Sequence, residues 1–364
     1  MKALTVGGAM VDTIAIIESD RIERMTMRNA DTAFLLLEEG RKTESLEVST
    51  HVGGGAVNTA VAMSRLGLDV ATLVKLGRDV RAETVMARLI DEGVSTRWVL
   101  RDKRAPTGAS VMISSHERDA AIFTFRGANT LLELCDLRED AFATDLVYIS
   151  SLSNESAACF PDLIARAKAQ GALVAANPGV RQLSARGGTF LDCLENIDIL
   201  NVNRREADAL VPSLVARFGE GGTSLALAPG EEPAPLLVRG LESGGFEITL
   251  AAFVTALLQL GVNHVVITDG SNGAFVGHEA GLVHCPTTNT HVMGTAGAGD
   301  AFASTFAASF VMGQGIEEAV QSATINAASV ISHVDTQTGL LDQDALLQER
   351  KKAAGELTVR TWEI

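Results

Sequence analysis

Short apolar, β-branched runs alternate along the chain with stretches of helical period. Leu4–Val6, Ala71–Leu76, Leu146–Ile149, Ala172–Ala176, Ile197–Val202 and Val265–Thr268 read as buried strands. Val57–Leu66, Ala82–Glu92, Cys159–Gln170, Ala251–Leu260 and Ala301–Met312 read as helices between or after them. Ile316, Val320, Ala323, Ala327, Val330 and Ile331 keep helical spacing and predict a long helix over 316–332. Alternation of this kind implies right-handed crossovers, hence an α/β fold with a central, mainly parallel sheet flanked by helices.

Two stretches break the rhythm. Over 107–125, Ala109, Val111 and Ile113 alternate with Ser110, Met112 and Ser114, and His116-Glu117-Arg118-Asp119 supplies a turn. Residues 13–51 lack a helix period, so 13–51 and 107–125 together predict a small β-sheet lid on a body made of 1–12, 52–106 and 126–364. Residues 212–246 carry Gly219, Gly221, Gly222, Pro229, Gly230, Pro233 and Pro235 and read as a surface insertion.

Composition narrows the function. A chain of 364 residues with 46 % hydrophobic and 21 % charged residues can bury a large core. Its formal charge of −15 offers neither nucleic acid nor an anionic membrane an attractive surface. Cys135, Cys159, Cys193 and Cys285 form no C-x-x-C pair, so neither a zinc site nor a disulfide framework is expected. Met1-Lys2 leads straight into a strand pattern without the apolar region of a signal peptide, and no apolar run suffices to span a bilayer. A cytoplasmic protein is expected.

Candidate chemistry lies in a few segments. Gly294-Thr295-Ala296-Gly297-Ala298-Gly299-Asp300 precedes a helix of small residues. Small residues let successive N–H groups converge, and a helix N-terminus behind them attracts an anion. Asp300 then stands beside the anion, where a carboxylate suits the task of accepting a proton from an attacking hydroxyl. A tight turn with Asp300 as a helix-dipole partner fits the same residues. Gly53-Gly54-Gly55-Ala56-Val57-Asn58 permits close backbone approach of a ligand, but also fits an ordinary loop entering a helix. Asn203-Arg204-Arg205-Glu206 and Thr268-Asp269-Gly270-Ser271-Asn272-Gly273 each follow a predicted strand. The sequence contains no G-x-x-x-x-G-K-[ST], G-x-G-x-x-G, H-E-x-x-H or G-x-S-x-G motif.

Taken in order, these segments resemble the ribokinase, or PfkB, family of sugar and nucleoside kinases. Gly54-Gly55-Ala56-Val57-Asn58-Thr59-Ala60 with Gly67 and Gly77 resembles its N-terminal signature, and Ala296-Gly297-Ala298-Gly299-Asp300 its C-terminal one. Asn203-x-x-Glu206 falls where that family has a magnesium and phosphate motif; Pro106-Thr107-Gly108 and Gly127-Ala128-Asn129 resemble landmarks around its lid. The resemblance implies a ribokinase-like fold and ATP-dependent phosphorylation of a hydroxyl on a sugar or sugar-like molecule. It implies Asp300 as base and Gly297, Ala298 and Gly299 as anion hole. Asp12, Gly54, Gly55 and Asn58 would hold the acceptor. Asn203, Glu206, Thr268, Gly270, Gly273 and Asn326 would border ATP, with Glu206 reaching Mg²⁺ through water. A homodimer through the lid is also expected.

Three departures mark this chain. Gly55 stands where ribokinases proper usually carry Lys, and Leu152 near where they place a substrate-contacting Glu. Gly294 replaces an Asp of the second signature, which bears on a monovalent cation. A nucleoside kinase on the same scaffold, with Phe34, Phe123 and Phe125 forming a base pocket, is the near alternative. A catalytically silent binding protein and a dinucleotide-dependent oxidoreductase are further ones; retained Asp300 and Glu206 argue against the first, the missing fingerprint loop against the second.

Overall fold

A computed structural model describes residues 1–18, 23–26, 33–36, 39–40, 42–115, 120–223, 225 and 233–364. Its centre is a ten-stranded sheet. From one edge the strands run Leu100–Arg101, Asp69–Leu76, Lys2–Gly7, Leu146–Ile149, Leu173–Ala176, Ile199–Asn203 and His264–Thr268, each parallel to its neighbour. Ala274–His278, Gly281–Cys285 and Arg360–Trp362 complete the sheet as antiparallel strands. Parallel strands are covered on both faces, which is why their sequences are almost uninterruptedly apolar. On one face Leu163, Leu210, Leu214, Phe253 and Leu257 pack from the helices Phe160–Ala169, Arg204–Phe218 and Leu250–Gln259. On the other, Val57, Val85, Leu89, Phe306 and Val320 pack from Gly55–Arg65, Val80–Asp91, Ala298–Val311 and Ile316–Ile331.

Strand Lys2–Gly7 lies between Asp69–Leu76, which follows it on one side, and Leu146–Ile149, which follows on the other. The chain therefore reverses its winding there. In open α/β sheets ligands bind at such a point, beyond the carboxyl ends of the strands.

A second, four-stranded sheet has the order Glu47–Gly53, Met10–Ile17, Gly108–Ser115, Ala120–Phe125. Its first strand begins at Met10, so Asp12, read from the sequence as the end of the α/β body, belongs to this smaller sheet. Strands Glu23–Thr26 and Ala33–Leu36 pair with each other in a separate two-stranded sheet. The turn expected at His116–Asp119 lies outside the described residues.

The reading of 212–246 as a surface insertion needs correction. Residues up to Phe218 continue the helix Arg204–Phe218, with Pro212 inside it. Pro235–Arg239 forms a short helix, and Leu241–Ser243 pairs antiparallel with Phe246–Ile248. Leu214, Leu236, Leu237 and Leu241 are buried in the main core. The prolines and glycines suggested a loop, but Pro212 costs its helix a single hydrogen bond that the burial of Leu214 and Val215 offsets. Residues 224 and 226–232 lie outside the described set.

Candidate active site

The carboxyl ends of the central strands form the floor of a cavity of ≈ 170 Å³, more than ten times the ~10–15 Å³ that one water needs. Gly7 and Gly8 end the first strand there, and Ser150, Ser151 and Ser153 extend the strand Leu146–Ile149. Asn177 follows Leu173–Ala176, and Asp300 reaches in from the first turn of Ala298–Val311.

That helix starts as its sequence demands. Gly297 caps it in the left-handed region, at φ 81°, and a Cβ there would lie 2.7 Å from Cβ of Thr336. Ala301 N–H bonds back to Gly297 over 2.9 Å, and Ala298 N–H bonds weakly to Thr295 over 3.4 Å. Among the described residues the N–H groups of Gly299 and Asp300 meet no acceptor. They are the donors that every helix start leaves free, and they point positive partial charge at whatever sits above.

Asp300 is fixed by Asn58 on the facing helix, which donates from Nδ2 to Oδ2 over 2.8 Å. Burial raises the Asp300 pKa; the Asn58 bond lowers it and the negative charge of Asp12 raises it again. Asp12 is itself buried, accepts a hydrogen bond from Ser110, and has its pKa raised by burial. His51, its cross-strand partner, acts to lower that pKa and stands 3.9 Å from Asp335. Gly55 keeps the floor open: a Cβ there would come within 2.9 Å of the Ser150 side chain and 3.6 Å of Asp300.

Asn203 and Glu206 form a reciprocal cap at the start of Arg204–Phe218. The Asn203 N–H donates to Glu206 Oε2 over 2.9 Å, and the Glu206 N–H to Asn203 Oδ1 over 3.0 Å. The N-x-x-E spacing is thus first a helix start. Yet Glu206 is buried with no cationic side chain paired to it among the described residues, and its pKa is pushed up to about 7 by burial and by Asp300, against bonds from Asn203 and Asn177. A buried carboxyl facing another carboxyl is a fitting place for a hydrated divalent ion. Asn203 and Thr268 are register partners at the ends of adjacent strands, so the two segments converge.

Not every expected contact survives. Gly273 is buried at φ 95°, and a Cβ there would strike the Cys285 carbonyl at 2.2 Å, so the turn itself requires glycine. Asn326 is enclosed; it donates to Thr305 over 2.7 Å and accepts from the Leu341 N–H over 2.9 Å, so its amide is engaged within the core and does not line the cavity. Gly55 and Asp300 line the cavity, whereas Asp12, Gly54 and Asn58 do not. Phe123 and Phe125 pair with Val111 and Ala109, on the sheet face opposite Asp12, and so supply no base pocket. The side chain of Phe34 lies outside the described residues.

Sequence reasoning missed Arg126, Ser150, Ser153 and Asn177. Their signal was available: polar residues directly after parallel strands, and an Arg directly before Gly127-Ala128-Asn129. Asn129 itself pins the turn at Ala9, accepting from its N–H at 3.0 Å and donating to its carbonyl at 2.9 Å.

Fold and site together define a sugar-kinase architecture of ribokinase type. The chain belongs to the pfkB family of carbohydrate kinases, whose model matches residues 23–221 and 243–343. The unmatched 222–242 falls within the stretch that the sequence sets apart. A deoxyribokinase of Salmonella typhimurium is 24 % identical over 89 % of this chain and 94 % of its own. Arabidopsis thaliana ribokinase, solved with ribose and ATP, superposes with a TM-score of 0.70 at 20 % identity, covering 96 % of this chain and 98 % of that one. A Burkholderia thailandensis nucleoside kinase in complex with inosine gives a TM-score of 0.68 at 17 % identity, covering 98 % and 100 %. By class the protein is an ATP-dependent carbohydrate kinase. Among the described residues no helix is long and apolar enough to cross a membrane.

Proposed function

We propose that this kinase phosphorylates a hydroxyl of a sugar or sugar-like polyol held in the cavity beneath Asp300. The observation that carries the reading is the juxtaposition at one helix start. A carboxylate held by Asn58 sits beside the free N–H groups of Gly299 and Asp300. The carboxylate accepts the proton of the attacking hydroxyl. The Gly297–Gly299 N–H groups receive the charge of the transferring phosphoryl group, which is where phosphoryl transfer needs help. Positioning and fixed dipoles suffice, because the reaction asks for little covalent participation by protein.

ATP would lie over the remaining strand ends, where Asn203 and Thr268 are register partners and Gly270 is exposed just beyond them. Bound Mg²⁺ supplies charge neutralisation on the phosphates. Glu206 would hold it through water, consistent with a buried carboxyl that has no cationic partner among the described residues. Asp12 does not line the cavity in this conformation. As a lid, the four-stranded sheet brings it onto the acceptor's hydroxyls and keeps water out. The outward face of that sheet carries Val48, Val111, Phe123 and Phe125, all exposed, and a second copy of the chain is the partner proposed for it.

The test is coupled ADP release with purified protein, Mg²⁺ and a panel of sugars, sugar derivatives and nucleosides. Turnover with at least one acceptor, lost in Asp300→Asn, supports the reading; no turnover with any acceptor rejects it.

A further inference from the structure

Arg126 is the one cationic side chain lining the cavity, and among the described residues it has no ionic partner. It ends the strand Ala120–Phe125 and is half-buried. Among the described residues its only hydrogen bond runs from Nη1 to the Ser153 hydroxyl, over 2.6 Å. Elsewhere the chain pairs cations that it removes from water. Lys75 lies between Asp102 at 3.4 Å and Asp136 at 2.7 Å, Arg65 meets Glu92 at 2.7 Å, and Lys168 meets Asp198 at 2.7 Å.

The surroundings make the missing partner conspicuous. Arg181, in the first turn of Val180–Leu191, is close enough for its charge to act against Arg126, and it forms no ion pair among the described residues. Burial, aided by that neighbour, lowers the Arg126 pKa. A protein with a net charge of −15 had carboxylates to spare, yet Leu152 and three serines form this wall. Asp300 is the sole carboxylate lining the cavity, and it is occupied by Asn58. A neutral polyol would leave the Arg126 guanidinium uncompensated, with Arg181's charge acting against it, which is costly in a half-buried place. A guanidinium fork beside hydroxyl donors is a receptor for a carboxylate or phosphate.

We propose that the acceptor is an anionic sugar derivative, a polyol carrying a carboxylate or phosphate group that Arg126 binds together with the hydroxyl of Ser153. The proposal rests on the kinase reading above and narrows its substrate class. The anionic group sits at the Arg126 end of the cavity, and the hydroxyl to be phosphorylated at the Asp300 end.

The test compares matched acceptors by ADP release: ribose, fructose and glucose; ribose 5-phosphate, fructose 6-phosphate and glucose 6-phosphate; gluconate and 2-keto-3-deoxygluconate; adenosine and inosine. We expect kcat/KM for one anionic series to exceed that of the neutral sugars at least ~30-fold, about 2 kcal/mol. The phosphate and acid arms tell which group is read. Arg126→Gln should erase that preference by raising the acceptor KM, with KM for ATP unchanged, and Arg126→Lys should keep part of it. A neutral sugar or nucleoside as best acceptor overturns the inference and leaves the kinase reading intact. So does an Arg126→Gln variant that loses turnover equally on all acceptors while KM for ATP rises, because Arg126 would then serve the nucleotide. No ADP release with any acceptor rejects the kinase reading, and the inference with it.

Discussion

The Asn58 side chain donates to Asp300 Oδ2 over 2.8 Å, while its own carbonyl oxygen accepts from Thr336 Oγ1 at 2.9 Å and Gln337 Nε2 at 3.0 Å. Two donors on one amide oxygen fix which way the amide faces, so its N–H₂ is committed to the carboxylate. The sequence suggested that Asn58 would bind the acceptor. The structure gives it the task of orienting the proposed base and favouring its ionised form.

Removing that donor should therefore act through Asp300. Asn58→Ala should lower kcat roughly tenfold and move the acidic limb of the kcat–pH profile upward, because the carboxylate loses a bond to its charged form. Asp300→Asn should cut kcat by about 10²-fold or more with KM for ATP little changed. An Asn58→Ala profile of unchanged shape, merely scaled down, would show that Asn58 does not tune Asp300.

Asp12 is predicted to serve the acceptor and not the nucleotide. Asp12→Ala removes a buried charged partner worth roughly 1.5–3 kcal/mol for hydroxyls that bind it. The acceptor KM should rise about 10- to 100-fold while ATP binding, followed by calorimetry, is unaffected. Equal losses for both ligands would point to damage in the four-stranded sheet, where Asp12 pairs with Ser110.

Much of this arrangement was legible in the sequence because it depends on local, periodic signals. The six strand segments from Leu4–Val6 to Val265–Thr268 all fall on strands of the central sheet, and the 316–332 helix is found at Ile316–Ile331. Gly297 was legible for the same reason, since its backbone conformation excludes other residues. What was not legible depends on packing between distant segments. Asn58 meets Asp300 across 242 positions, and Asn326 is enclosed between Thr305 and Leu341, contacts that no period announces. Arg126 drew no notice because a single Arg at a strand end is ordinary; only its lack of an ion pair among the described residues makes it informative.

Glu206 should make stability depend on pH with an unusual sign. Its folded pKa of about 7 lies above the ordinary 4.5. Between these values the folded state holds a proton that the unfolded state has released, so stability falls as pH rises. The effect is at most about 3 kcal/mol. Glu206→Gln should accordingly be more stable than the parent at pH 8, with the gap closing near pH 5, in denaturant titrations without divalent ions. Mg²⁺ should narrow the gap at pH 8 by favouring the ionised carboxylate. A variant equally or less stable at pH 8 would show that the burial of Glu206 is already compensated.

The exposed row Val48, Val111, Phe123 and Phe125 should lie in a dimer interface. Phe123 and Phe125 are 59 % and 50 % exposed, on the same sheet face as exposed Val48 and Val111. Such a face in a small sheet is unfavourable in water. Light scattering should give a dimer at micromolar concentration, and Phe123→Glu should shift it to monomer without loss of the α/β fold by circular dichroism. A clean monomer for the parent protein would remove the dimer.

Dependence on K⁺ should be weak. In relatives of this family the loop that opens the second signature helps to hold a monovalent cation beside the anion hole. Here it reads His291-Val292-Met293-Gly294-Thr295-Ala296, with Gly294 where an Asp is usual and Ala296 where a Thr is common. The loop is tied down through the N–H groups of Met293 and Gly294, which bond to the Ile331 carbonyl at 2.8 and 3.2 Å. The carbonyls of His333 and Val334 each lie 3.5 Å from where a Gly294 Cβ would be. Neutral oxygens therefore approach the loop, but the carboxylate and hydroxyl that would strengthen the field there are gone. Without those two groups the field that offsets a cation's lost hydration is weaker. Turnover in K⁺ should exceed turnover in tetramethylammonium, at equal ionic strength, by less than tenfold. A larger activation, more than about 1.4 kcal/mol of transition-state stabilisation, would mean that the carbonyls suffice and that Gly294 did not abolish the site.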